Sequence, residues 1–380
     1  MRSSPGPAPG SLDGPVVSTM GVEEEFFLVD RLTREPVARA GPVIQAAAPV
    51  LGDLVQDEFY RCMVEVCTRP SASATDLRAQ LAALRATLVG AAREADCALM
   101  ASGTAVVPPR EPVPVTDTPR YRRMAQRFGA LVDGGLSVVC GCHVHIGTAD
   151  RAQALLLANH VRPWLPALQA LAVNSPFSGG IDSGFASWRC LEFGRWPTAG
   201  PAPLLDTAAY EDTADALVSS GILMDRRMIY WFARPSEHHP TVEFRVADTS
   251  ADLDTTVLVA LLLRGLCAAV LSRAEAGRPP PAIGARQLRA AHGYAARYGS
   301  GGLALDPFTG EEVPAQALIG ALVMAAAPGL TAAGDLDEVD RLLTALRQRG
   351  SGADRQRATF HRTGRLRGVV DHLTEVTARA

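Results

Sequence analysis

Lysine is absent from the 380 residues, so every one of the 37 basic side chains is an arginine. That absence removes a Walker A lysine, a Schiff-base lysine for pyridoxal phosphate and a carbamylated lysine bridging two metals. Any phosphate this chain holds is held by arginine, backbone or metal. Excess charge is also missing: a net charge of −3 leaves no broad electrostatic footprint for nucleic acid or an anionic membrane. Cysteines number seven, at no regular spacing, the pattern of reduced thiols in a cytoplasmic protein. The longest apolar run, Val257 to Leu271, is short for a bilayer span and carries Arg264 near its middle, so it predicts a buried helix. The opening MRSSPGPAPGSLDGP has no apolar h-region and reads as a disordered tail over 1–17, ahead of a single domain over 18–380.

The residues that are present raise a question at SVVCGCHVHIG, where two cysteines and two histidines lie within six residues, Cys140 to His145. The stretch is short and rich in β-branched residues, so it predicts a strand with alternating faces. Cys140 and Cys142 then share a face with Val138, Val144 and Ile146, and His143 and His145 take the other with Gly141. One tetrahedral zinc cannot collect all four side chains. The cysteines read as small buried hydrophobes, and the imidazoles face whatever lies above the sheet.

Three other predicted strands carry polar groups in the same alternation. In GVEEEFFLV, Glu23 and Glu25 share a face opposite Val22, Glu24, Phe26 and Leu28. In RCMVEVCT, Glu65 sits between valines. In TVEFRVAD, Thr241, Glu243 and Arg245 oppose Val242, Phe244 and Val246. Each segment alone is satisfied by a sheet with one wet face. Gathered on one face, however, these carboxylates repel one another and need cations. Carboxylates in the majority with one or two imidazoles suit Mg²⁺ or Mn²⁺ better than zinc. With a guanidinium at Arg245 beside them, they suit phosphoryl transfer from a nucleotide.

Helical spacing of Leu77, Leu81, Leu84, Leu88, Ala92, Ala95 and Leu99 predicts one helix behind the capping stretch SASATD. PRYRRMAQRFGALVD predicts a basic amphipathic helix, Asp150 caps RAQALLLANHV, and Pro163 interrupts or kinks that helix before LPALQALAVNS continues it. The Gly- and Pro-punctuated region 174–203 reads as a long loop of functional character. Strands and helices mix without regular βαβ alternation, which predicts an α+β fold with an antiparallel sheet.

In this order GVEEEFFLVD, VEVCT, CGCHVHIG, NSPFSGGIDSGFASWR and RPSEHHPTVEFRVADT resemble the YbdK-type carboxylate–amine ligases, the glutamate–cysteine ligase type 2 family. The resemblance runs from about residue 18 to the C-terminus. It implies a fold similar to the glutamine synthetase catalytic domain: an antiparallel sheet curved into a funnel, with metal and nucleotide on the concave face and helices on the convex one. It also implies ATP-dependent coupling of a small carboxylate, typically glutamate, to an amine, typically cysteine, through an acyl phosphate. Carried over, Glu23, Glu25, Glu65, His143 and Glu243 match metal ligands, with His143 favoured over His145. Glu58 matches a further acidic position for which Asp57 competes. Arg245 matches the arginine at the transferring phosphoryl group. Arg189 and Arg234 are contacts for a substrate carboxylate or phosphate, or else arginines tied into structural ion pairs. Glu237, His238 and His239 replace a short, less charged turn, and Ser178 replaces a bulkier residue, so the acid or amine can differ from the family's usual pair. The rival is a metal-dependent hydrolase of the amidohydrolase kind, suggested by His143 and His145, which would require βα barrel repeats. Neither nucleic acid nor membrane is expected as a partner, and a homo-oligomer is compatible with the sequence.

Overall fold

The computed structural model describes residues 19–132 and 138–379, and the expected tail over 1–17 lies outside them. Strands β1 (Met20–Asp30), β2 (Val55–Asp57), β3 (Met63–Cys67), β4 (Cys97–Met100), β5 (Gly141–Gly147), β8 (Ala233–Pro235) and β9 (Thr241–Asp248) form the main sheet, with β6 (Phe177–Ser178), β7 (Ile181–Asp182), β10 (Leu303–Leu305) and β11 (Glu312–Pro314) in two small hairpins. The main sheet runs β2-β3-β1-β5-β9-β8, with β4 on the far end of β1, and its pairs are antiparallel.

The helices are α1 (Ala40–Leu51), α2 (Ala74–Glu94), α3 (Pro119–Arg127), α4 (Gly129–Val132), α5 (Arg151–Val161), α6 (Leu165–Leu171) and α7 (Trp188–Phe193) in the first half of the fold. Then come α8 (Thr207–Ser219), α9 (Leu253–Glu275), α10 (Ala285–Tyr298), α11 (Ala315–Ala333), α12 (Leu336–Arg349), α13 (Gly352–Thr363) and α14 (Leu366–Ala378).

Alternation along the strands sorts the two faces. Val22, Cys142, Val144, Ile146, Val242 and Phe244 pack with α5, α6, α9 and α11 in one core, and Phe26, Leu28, Val64 and Val66 pack with α1 and α2 in another. At about 25 cal/mol per Å² of apolar area, burial of such rows dominates the stability of this layer. Glu24 lies on this apolar side, and it is neutralised there by Arg85 of α2 with both side chains at 0% exposure. The run Val257–Leu271 lies within α9, a helix long and apolar enough to cross a bilayer but 89% buried inside the protein over its most apolar window. Arg264 on it is buried and bonded to Asp335. α11 is also long and apolar enough by that measure, at 44% buried.

Local signals set several boundaries. Asp150 accepts from the Gln153 amide at 2.8 Å and starts α5. The helix expected to run through Leu99 ends at Glu94 instead, because Asp96 takes φ 54° and turns the chain, so that Leu99 enters β4 opposite Leu28. Leucine spacing alone cannot show that left-handed residue. The basic amphipathic helix breaks at Phe128 into α3 and α4. The region 174–203 is not wholly loop: it contains the β6–β7 hairpin and α7, capped by Ser187.

Candidate active site

Sheet register brings the polar side chains together. Glu25 pairs with Glu65 across β1 and β3, Glu23 with His143 across β1 and β5, and His145 with Glu243 across β5 and β9. Arg234 of β8 then pairs with Glu243. Like charges directly opposite one another destabilise a sheet, so the Glu25–Glu65 pair is not there for stability. Between Cys142 and Val144 the β5–β9 register shifts at a bulge, which turns the strand locally. Arg245 Nη1 thereby lies 3.5 Å from His143 Nδ1 and bonds Glu243.

These residues line one cleft of about 520 Å³ with Glu58, Tyr121, Arg189, Trp196 and Tyr230. Glu23 Oε2 lies 3.2 Å from His143 Nδ1, and Glu23 Oε1 lies 3.1 Å from His145 Nε2. Three overlapping sets have ligand atoms mutually within 4.8 Å: Glu23, Glu65 and His143; Glu23, His145 and Glu243; Glu25, Glu58 and Glu65. His143 Nε2 is buried and makes no hydrogen bond, as suits a donor waiting for a Lewis acid. A donor set of carboxylates with two imidazoles fits hard divalent cations.

The electrostatics agree with that fit. Burial, then the neighbouring Glu23 and Glu58, pushes the Glu65 carboxyl well above its ordinary range. Burial, then Glu25, pushes Glu58 up to about 7. Burial also raises Glu25, with Arg189 opposing. At Glu23 burial acts upward too, but the charge on His145 and the hydrogen bonds from both imidazoles outweigh it, and the group stays well below the usual carboxylate range. Glu243 is likewise held low by Arg234 and Arg245 against its burial. Burial, aided by Arg245, lowers His143 to about 4, so its imidazole is neutral and able to ligate.

Arg189 and Arg245 frame the other side. Arg189 is 3% exposed, donates weakly to the Arg245 carbonyl at 3.4 and 3.5 Å, and has an unpartnered Nε. A Cβ at position 141 would collide with Arg189 Nη2, so the guanidinium lies over the bare backbone of Gly141. The Arg245 guanidinium lies over the Phe193 and Tyr230 rings at 5.8 and 5.6 Å, where aromatic faces attract cations.

The profile of glutamate–cysteine ligase family 2 matches residues 19–375. The chain belongs to that family. It is a ligase of the glutamate–cysteine ligase type. A Saccharopolyspora erythraea protein with the provisional name glutamate–cysteine ligase 2-1 is 43% identical over 93% of each chain. A Salinispora arenicola protein with the provisional name glutamate–cysteine ligase 2 is 42% identical over 97% of this chain and 98% of its own. Among solved structures, the glutamate–cysteine ligase of Francisella tularensis in complex with AMP superposes with a TM-score of 0.74 at 11% identity, covering 96% of this chain and 89% of that one. That likeness carries the fold, which is the glutamine synthetase-like α+β architecture expected from the motifs. The open antiparallel sheet of this family 2 chain is not the barrel that the amidohydrolase rival requires.

Within the family 2 chain the cleft gathers Glu23, Glu25, Glu58, Glu65, His143, Glu243, Arg189, Arg234 and Arg245. Glu58 lines it, whereas Asp57 is exposed at the end of β2. Arg234 gives its Nε and Nη2 to Glu243 at 2.8 and 3.3 Å and its Nη1 to the carbonyls of Arg227 and Ile229. It is engaged within the protein and braces Glu243. His145 shares the strand face of His143 and stands equally near Glu23. Glu192, Phe193 and Trp196 also reach the cleft. Their signal was the aromatic content of the 174–203 region, but short helix α7 carried no periodicity to place them.

Proposed function

We propose that this family 2 ligase is an ADP-forming, ATP-dependent carboxylate–amine ligase that joins glutamate, or a close relative, to a small amine such as cysteine. The observation that carries this reading is the convergence of Glu23, Glu25, Glu58, Glu65, Glu243 and two imidazoles beside Arg245 in one cleft. In the first step a carboxylate oxygen attacks the γ-phosphorus of ATP and ADP leaves. In the second the amine nitrogen attacks the acyl carbon, phosphate leaves and a proton is lost from nitrogen.

Mg²⁺ or Mn²⁺ held by Glu23, Glu25, Glu58, Glu65, His143 and Glu243 would neutralise phosphate charge and orient the nucleotide. The protein's own work is electrostatic and geometric. Arg245, fixed by Glu243 and by two rings, places positive charge where the transferring group develops negative charge. Arg189, nearly buried with a free Nε, offers a fork for a carboxylate or phosphate. The aromatic walls exclude water from the acyl phosphate. No protein nucleophile is required, since proximity within the cleft joins the two substrates.

Purified protein is incubated with MgCl₂, ATP, glutamate and a panel of amines including cysteine. Release of ADP and phosphate only when acid and amine are both present, with a product of the mass of the amide, is the expected result. Amide hydrolysis independent of ATP would overturn the reading.

A further inference from the structure

Arg189, Glu192, Phe193 and Trp196 all enter the cleft from α7 or the residues just after it. Glu243 and Arg245, the proposed metal ligand and phosphoryl contact, belong to β9. α7 spans six residues, too few to hold a position by helical cooperativity. Something must fix it against β9, and the contacts converge on one side chain.

Asp248, the last residue of β9, is 1% exposed. Its Oδ2 accepts from the Ser175 hydroxyl at 2.6 Å and from the Asn174 amide at 2.8 Å, and its Oδ1 accepts from the Ser187 hydroxyl at 2.8 Å. Both serines pass the constraint on. Ser175 Oγ accepts from the Arg189 amide at 3.1 Å, and Ser187 Oγ accepts from the Cys190 amide at 3.3 Å as the cap of α7. These three hydrogen bonds to Asp248 come from neutral donors, two hydroxyls and a backbone amide; burial raises the Asp248 carboxyl above its ordinary value, with the Arg189 guanidinium opposing through space without bonding it. Gly103 makes room for the carboxylate: a Cβ there would lie 2.7 Å from Asp248 Cγ. A buried carboxylate held by two hydroxyls and an amide is a costly way to pin a loop, and the same result in a purely structural role needs only apolar packing.

We propose that Asp248, acting through Ser175 and Ser187, is a positioning residue that sets the Arg189 guanidinium over Gly141 and toward the anionic group of a substrate. The inference rests on the ligase reading in one respect, that Arg189 meets a substrate anion. That anion is a carboxylate of the acid or a phosphate of the nucleotide, and the two are separated by measurement. Asparagine at 248 keeps the shape, but its NH₂ would have to donate to a serine oxygen already accepting from a backbone amide.

In Asp248→Asn, hydrogen exchange at the Arg189 and Cys190 amides is expected to accelerate at least ten-fold. Calorimetric binding of glutamate or of ATP to the Mn²⁺-loaded protein weakens at least ten-fold, and the one that weakens names the anion. Mn²⁺ affinity, which depends on the glutamate and histidine cluster, stays within two-fold. Ser187→Ala removes one of the three donors and gives the same pattern at three- to ten-fold, which keeps the test open if Asp248→Asn does not fold. Faster exchange with both binding constants unchanged, or a parallel loss of Mn²⁺ binding, overturns the proposal. Exchange and binding need no turnover, so a failure of the ligase reaction in the unaltered protein would sink the functional reading without deciding this one.

Discussion

Glu24 and Arg85 form a fully buried bidentate pair behind the cleft: Arg85 Nη2 and Nε donate to the Glu24 carboxylate at 2.5 and 2.9 Å, and Thr256 donates to it at 2.9 Å. Glu24 stands between Glu23 and Glu25 on β1, so its direction fixes theirs. Arg85 also donates to the carbonyls of Ser250 and Ala251. Removing one partner strands a buried charge, whereas replacing both with apolar groups does not. Arg85→Met is expected to cost about 3–5 kcal/mol in urea unfolding, and adding Glu24→Met to it should recover most of that loss. A double variant no more stable than the single one would refute this account.

Gly141 and Arg189 give a contrasting case, in which stability and activity should separate. A methyl at 141 meets the far end of a flexible side chain rather than backbone, so the guanidinium can swing aside at little cost. Gly141→Ala is expected to shift unfolding by less than about 1 kcal/mol while lowering kcat/KM roughly 100-fold, the scale of a small misplacement at a reacting centre. Thermal unfolding and steady-state kinetics on the same preparation check both halves.

Those two cases also show which contacts were legible in the sequence. Parity along four strands separated Glu23, Glu25, Glu65, His143, Glu243 and Arg245 from the apolar face of each strand, because alternation is a local rule; that the four polar faces coincide is set by the cross-strand register. The sequence did not disclose Arg85 as the partner of Glu24, since that pairing spans 61 positions and α2 reads as an ordinary leucine-faced helix. It also did not disclose the contact of Gly141 with Arg189, which exists only after α7 folds across β5. Asp57 and Glu58 could not be separated in sequence, because the chain leaves β2 between them and alternation ends there.

The ion-free cleft should titrate in a defined direction. Glu58 goes from an ordinary value of 4.5 to about 7 in the folded protein, through burial first and Glu25 second, and Glu65 is also raised. A carboxyl with a raised folded pKa binds more protons folded than unfolded, so its contribution is present below the unfolded pKa and is lost as pH rises through the folded value. Between pH 4.5 and 7 the chelator-treated protein should therefore lose stability from Glu58, on the order of 3 kcal/mol. Saturating Mn²⁺ should reverse the trend, because the cation replaces the protons. Chemical denaturation across this range, with and without Mn²⁺, tests it. Ion-free stability that climbs across the same window would contradict the assignment. Removal of divalent ions should also abolish turnover.

Arg245 separates charge from geometry. Its guanidinium bonds Glu243 and lies over the rings of Phe193 and Tyr230, and a lysine there keeps the charge but loses the planar fork and the stacking. If the side chain acts on charge that develops only in the transition state, Arg245→Lys should lower kcat about 10²–10³-fold and leave the KM for ATP within about three-fold, because ground-state binding does not use the lost contact. The ammonium lacks the planar fork that bonds Glu243 and leaves further N–H groups for a phosphoryl group, so a change of pH will not rescue the variant. A rise in KM for ATP with kcat unchanged would instead assign Arg245 to nucleotide binding. Initial-rate measurements over a range of ATP at saturating acid and amine distinguish the two.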